Sequence, residues 1–154
     1  MKNNRNSIEL FRDNKTVLLL CIAIVYFFIV LDITLIDRTV GQRRHMLEPF
    51  WELSQFFQSG RYLYWLFQIC GNVLMLMPMG MFFPMIFRRF DNLRTTTAVC
   101  LVFSLFIELT QYFTGRGLCE FDDIMHNTFG GVIGFLIYRK IADKAAEYRR
   151  MKYL

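Results

Sequence analysis

Charge is scarce in this chain. Only 20% of its 154 residues are Asp, Glu, Lys or Arg, while 55% are hydrophobic and 17% aromatic; an ordinary soluble domain carries about 25% charge. Proline is limited to three residues, cysteine to four and histidine to two. No C-x-x-C occurs. Cys21, Cys70 and Cys100 lie within apolar runs, where cysteine behaves as a small hydrophobe, and Cys119 has no partner in its own loop. Neither a zinc framework nor a disulfide framework is supported. No serine–histidine pair or recognised phosphate loop stands out, and no internal repeat or low-complexity tract is visible. The hydrophobic share excludes a disordered chain. The strand-type alternation that a membrane barrel needs is missing.

What is present is four long apolar runs separated by charge. They are Val17–Ile36, Leu63–Phe87, about Thr95–Phe113 and about Ile124–Ile141. Each can cross a hydrocarbon core about 30 Å thick at about 1.5 Å per residue, the fourth only just. Helices are the natural reading, because a backbone in lipid must satisfy its own hydrogen bonds. The expected fold is all-α: one polytopic membrane domain over residues 1–154 with four transmembrane helices. Pro78 should kink the second run, with Gly80 adding room, and Pro84 marks a possible fraying point. The first run follows a basic leader, but it exceeds a signal-peptide h-region and no A-x-A site follows, so it reads as a retained span.

Charge sets the orientation. Lys2, Arg5, Arg12 and Lys15 precede the first run; Arg88, Arg89 and Arg94 lie between the second and third; Arg139, Lys140, Lys144, Arg149, Arg150 and Lys152 end the chain. These thirteen fall on one side, against five on the other: Arg38, Arg43, Arg44, Arg61 and Arg116. Cytoplasmic loops carry the Lys/Arg excess, so both termini are expected in the cytoplasm. Asp37, Glu48, Glu52, Glu120, Asp122 and Asp123 give the opposite face an acidic character. The net charge of +5 sits at membrane boundaries, where it meets headgroups, and no nucleic-acid partner is expected.

Polar residues inside the runs gather at one depth. Asp32, Gln68, Asn72, Glu108 and Gln111, with Asp122, Asp123, His126 and Asn127, all fall toward the outer ends. Intramembrane ionisable groups are costly and face a cavity or each other. An outward-opening polar pocket follows as an expectation. Glu108 and Gln111 share a helix face at i,i+3, as Asp123 and Asn127 do at i,i+4. Gly130-x-x-x-Gly134 would let a neighbouring helix approach closely, carrying Asn127 in beside Glu108 or Asn72. Simpler roles compete. Asp122 or Asp123 would serve as the N-cap of the fourth helix. Asn72, Gln111 and Asn127 would join helices by hydrogen bonds. Arg61 or Arg116 would pair with Glu108. His126 reads as a surface or packing residue. The external aromatics Phe50, Trp51, Phe56, Phe57, Tyr62, Tyr64 and Trp65 suit an interfacial belt, or a re-entrant segment gripping an acyl chain.

These residues resemble the VanZ-like family of small bacterial membrane proteins. The stretch Thr114–Gly134, TGRGLCEFDDIMHNTFGGVIG, is similar to the family's G-R-x-x-C-D-I-D-D-x-x-x-N-T-x-G-G-x-x-G, with Glu120 in place of the usual Asp. Glu108 and Gln111 match its E-x-x-Q; Asn72, Pro78 and Gly80 match N-x-x-x-x-x-P-x-G; Pro49 and Phe50 match P-F. The resemblance covers about Leu47–Tyr138. It implies an integral protein of the bacterial plasma membrane linked to glycopeptide resistance, chiefly to teicoplanin.

The expected binding residues are Asn72, Glu108, Gln111, Arg116, Glu120, Asp122, Asp123 and Asn127. Beyond the lipid bilayer, the expected partner is an amphiphilic envelope compound, a lipoglycopeptide or lipid-linked wall precursor, bound or excluded without chemistry. The alternative is an enzyme on a lipid-linked substrate, with Glu108, Asp122 and Asp123 as acid/base groups or as oxygen ligands of a divalent cation. A small transporter ranks third, since the inner halves carry almost no polar groups. No cofactor is otherwise expected, no metal ligand is assigned, and an oligomer is left open.

Overall fold

Helix α4, Leu93–Thr114, turns its polar side inward. Thr96, Cys100, Ser104, Ile107, Glu108 and Gln111 are buried, whereas Leu101, Val102, Leu105, Phe106, Leu109 and Phe113 are exposed. This inverts the arrangement of a water-soluble helix, whose apolar stripe faces the core. It fits a helix whose outer surface meets hydrocarbon. Asn92 caps the start, its side chain accepting from Arg94 N–H at 2.8 Å. Gly115 ends it in a left-handed conformation (φ 66°), and an added Cβ there would press on the Gly41 carbonyl.

The computed structural model describes the backbone of residues 2–152 and the side chains of residues 14–152 except Arg88. The charges of Lys2, Arg5, Arg12 and Arg88 that helped set the expected orientation lie outside the described side chains. Helix α1, Lys2–Leu31, continues into a π-type turn, Asp32–Ile36. Strand β1, Arg44–Met46, and the short helix α2, Trp51–Gln58, follow. Helix α3 spans Tyr62–Ile86, and after α4 come strand β2, Leu118–Glu120, and helix α5, Phe121–Lys152.

Among the described residues, three helical stretches are long and apolar enough to cross a membrane: Asn14–Ile36, Tyr62–Ile86 and Leu93–Thr114. They match the first three expected runs to within a few residues. Helix α5 covers the fourth run but does not meet that measure. Its N-terminal half buries Asp122, Asp123, Asn127, Gly130, Gly131 and Gly134 among its neighbours, and these polar and small residues lower its mean hydropathy. Its 32 residues would extend about 48 Å at the standard rise.

Helix α3 keeps both prolines inside one continuous helix, and Pro84 is buried within it rather than fraying its end. Gly80 allows a close approach to α5, because a Cβ there would run into the Gly131 backbone. The same holds for Gly130 against Val73 and Gly134 against Met77, each at a backbone carbonyl. The G-x-x-x-G of α5 therefore seats α3, the contact expected of small residues in membrane helices. Beside this seam Leu76, Met79 and Cys100 are buried, with Tyr26, Phe83, Val99 and Phe103 packed around them.

Two three-residue strands supplement the all-helical plan. β1 pairs with β2 in parallel, His45 opposite Cys119. Gly41 N–H donates to the Gly115 carbonyl at 2.8 Å beside them. This ribbon ties the loop after α1 to the loop after α4 at one end of the bundle.

Candidate functional site

At that end, α4 and α5 present their carboxylates to each other. Glu108 lies one turn beyond Ser104, and both are buried. Glu108 Oε2 accepts from the Glu120 backbone N–H at 2.9 Å, so β2 is anchored on α4. Gln111 Nε2 donates to the Thr34 carbonyl at 3.0 Å, fastening α4 to the π-type turn, whose loosened backbone frees that carbonyl. On α5, Asp123 accepts a short hydrogen bond from Asn72 Nδ2 of α3. Asn127 donates to Ser104 Oγ at 3.0 Å and is fully buried. The close seam between α3 and α5 is what brings Asn72 and Asp123 within reach.

A cavity of about 420 Å³ adjoins these groups. Asn72, Glu108, Gln111 and Asp123 line it, with Gln68 and Arg38. Its other wall is apolar and comes from α1 and α3, including Ile29, Val30, Ile33, Phe67 and Leu74. A larger groove of about 550 Å³ between α3 and α4 is lined by apolar residues and Thr95.

The remaining expected residues lie elsewhere. Asp122 does not cap its own helix. Its two oxygens accept from Phe50 N–H at 2.7 Å and Glu52 N–H at 2.9 Å, which caps α2 from across the fold. Phe50 adopts a left-handed conformation (φ 62°) to present its N–H. Arg116 does not reach Glu108. Its Nη1 donates to the Leu35 carbonyl at 2.9 Å, at the end of the π-type turn. Arg61 lies over the Tyr64 ring at 4.6 Å. Asp32 is exposed and is not part of the cavity wall. Asn127 joins Ser104, one turn from Glu108, rather than Glu108 or Asn72.

Sequence reasoning overlooked three groups. Arg38 is the cation at the cavity wall. Ser104 looked like an ordinary small residue of an apolar run. Glu52, counted only among external charges, is fully buried by the Asp122 cap. His126 Nδ1 lies 3.0 Å from Glu52 Oε2, with the His side chain 23% exposed. Within the aromatic segment, Trp51 of α2 and Trp65 of α3 meet edge to face at 5.3 Å.

Five buried carboxylates thus share one region: Glu52, Glu108, Glu120, Asp122 and Asp123. Burial pushes the Glu120 carboxyl up to about 8, helped by the charges of Asp123, Glu52 and Asp122 and opposed by Arg38. Burial also raises the Cys119 thiol beside it, with Glu108, Asp123 and Glu120 adding to the shift. Carboxylates crowded in this way need protons, donors or a cation to persist.

Apolar helices around a buried, carboxylate-rich polar centre fit a helical membrane protein. A family model described as VanZ/LLP1 matches residues 16–142, and the chain belongs to the VanZ-like family. No curated protein and no solved structure matches it.

Proposed function

We propose that this protein is a multi-pass protein of the bacterial plasma membrane that binds an amphiphilic envelope compound in the cavity between α1, α3, α4 and the start of α5. A lipoglycopeptide such as teicoplanin or a lipid-linked wall precursor has the required chemistry. The observation that carries the reading is the divided lining of the cavity. One part holds Asn72, Glu108, Gln111, Asp123 and Arg38, and the other is aliphatic and aromatic. Such a surface suits a polar head joined to a hydrocarbon tail. In this reading α5 supplies the fourth span, both termini lie in the cytoplasm, and the carboxylate end faces outward. Contribution to glycopeptide resistance would follow from holding or excluding the compound at that face.

Native mass spectrometry of the protein extracted with its own lipids tests the binding. Gly71 lines the cavity and has open space beside it, so Gly71→Leu should fill the site and displace a co-purifying amphiphile. An identical complement of bound lipids in both proteins would overturn the assignment. Unchanged teicoplanin susceptibility on expression in a susceptible host would remove the resistance role.

A second reading, an enzyme acting on a lipid-linked envelope substrate, is favoured by the buried Glu52 beside Asp123 and His126. Turnover of a lipid-linked precursor by the purified protein, lost in Glu108→Gln, would support it.

A further inference from the structure

The group formed by α2 and the first turns of α5 calls for more than an ion pair. Glu52, Asp123 and His126 each offer one ligand atom, and the three atoms lie within 4.8 Å of one another. Glu52 is 0% exposed, yet its Oε1 has no hydrogen-bond partner. His126 Nδ1 and Glu52 Oε2 stand 3.0 Å apart but do not meet hydrogen-bond geometry toward each other or any other group. A simple ion pair would align N–H with oxygen and would still leave Oε1 buried and unsatisfied, which is costly. A shared ion accounts for both facts. Bonds of about 2.0–2.1 Å place neighbouring ligand atoms about 2.9 Å apart in an octahedron and about 3.3 Å apart in a tetrahedron. The observed pair is close to that spacing. The backbone supports the arrangement as well, because Asp122 holds the Glu52 N–H and so fixes where α2 delivers its carboxylate.

We propose that Glu52, Asp123 and His126 form a binding site for one divalent cation of the zinc or manganese type. An imidazole with two carboxylates suits these ions better than Mg²⁺ or Ca²⁺, which prefer oxygen ligands throughout. Three protein ligands leave at least one coordination position for water or another group. Asp123 also lines the cavity, so the ion would border that space. The inference does not depend on which amphiphile, if any, the cavity holds.

The test uses the full chain in nanodiscs, stripped with chelator and titrated separately with Zn²⁺, Mn²⁺ and Mg²⁺. The expected result is saturable binding of one Zn²⁺ or Mn²⁺ per chain, with Mg²⁺ at least about tenfold weaker. Glu52→Gln and His126→Gln should each weaken binding at least about tenfold, a loss of about 1.4 kcal/mol or more. His126→Cys should retain Zn²⁺ and lose Mn²⁺, because a thiolate suits the former. This variant keeps the test decisive if Glu52→Gln fails to fold. His45→Gln, at the exposed other histidine, should behave as wild type. Absence of saturable binding in the folded wild type would overturn the proposal. So would wild-type affinity in His126→Gln, Mn²⁺ binding retained in His126→Cys, or a loss that follows His45.

Discussion

Asp122 spends its carboxylate on a helix other than its own. The two N–H groups it receives, from Phe50 and Glu52, are orphan donors at the start of α2, where an anion also meets the positive end of the helix dipole. Asp122→Ala should cost about 1–2 kcal/mol of stability. Hydrogen exchange should rise across residues 50–58 while the middle of α4 stays protected; thermal unfolding and exchange mass spectrometry would read the two effects. Glu120 gives a pH signature. Its folded-state carboxyl titrates near 8 against an ordinary 4.5. Between those values the native state holds more protons than the unfolded one, so stability falls as pH rises. In chelator the melting temperature should drop from pH 5 to pH 8, and Glu120→Gln should make that drop shallower. Which residues were legible follows from contrast. Asn72, Glu108 and Gln111 stand out because polar groups in apolar runs are expensive. Glu52 and Arg38 lie between the long apolar runs, where one more charge carries no signal. The burial of Glu52 depends on a partner 70 residues away.

The pairing of α3 with α5 rests on absent side chains. At Gly130 and Gly134 any Cβ would strike the backbone of α3, which cannot retreat without losing the Asn72–Asp123 bond. Gly134→Val should destabilise the fold by about 2–3 kcal/mol or prevent its accumulation. Gly71→Ala, with nothing within 4 Å, should be neutral or slightly stabilising in the same thermal assay. The helices themselves were readable in outline, since lipid demands apolar length whatever the packing. The glycine spacing of α5 also pointed to a close neighbour. The ribbon of β1 and β2 was not readable, because three residues carry no usable periodicity and their pairing is nonlocal. Helix α5 divides its surface: Gly130, Gly131, Gly134 and Phe135 are buried, while Phe129, Leu136, Ile137 and Ile141 are exposed.

For the molecule as a whole, the inverted burial of α4 and the exposed apolar residues along α1 describe a body with its polar groups at the centre and hydrocarbon outside. The proposed orientation, with both termini in the cytoplasm, rests on the charge asymmetry and can be tested directly. Fluorescent protein fused to the C-terminus should fluoresce, and an external thiol reagent should label a cysteine placed at exposed Glu48 but not at exposed Lys144. The reverse labelling pattern would invert the topology and turn the carboxylate end inward.

The cross-fold cap has a consequence for synthesis. Phe50 and Asp122 are 72 residues apart in the chain, with α3 and α4 between them. While the ribosome is still making α4, the α2 segment has no cap, β1 has no partner strand, and Glu52 has no reason to leave water. Contacts of such high sequence separation form late. The three groups of the proposed cation site therefore come together only after α5 has begun to pack. A chain stopped before Leu118 would insert its apolar helices yet leave the first loop open and its acidic residue hydrated.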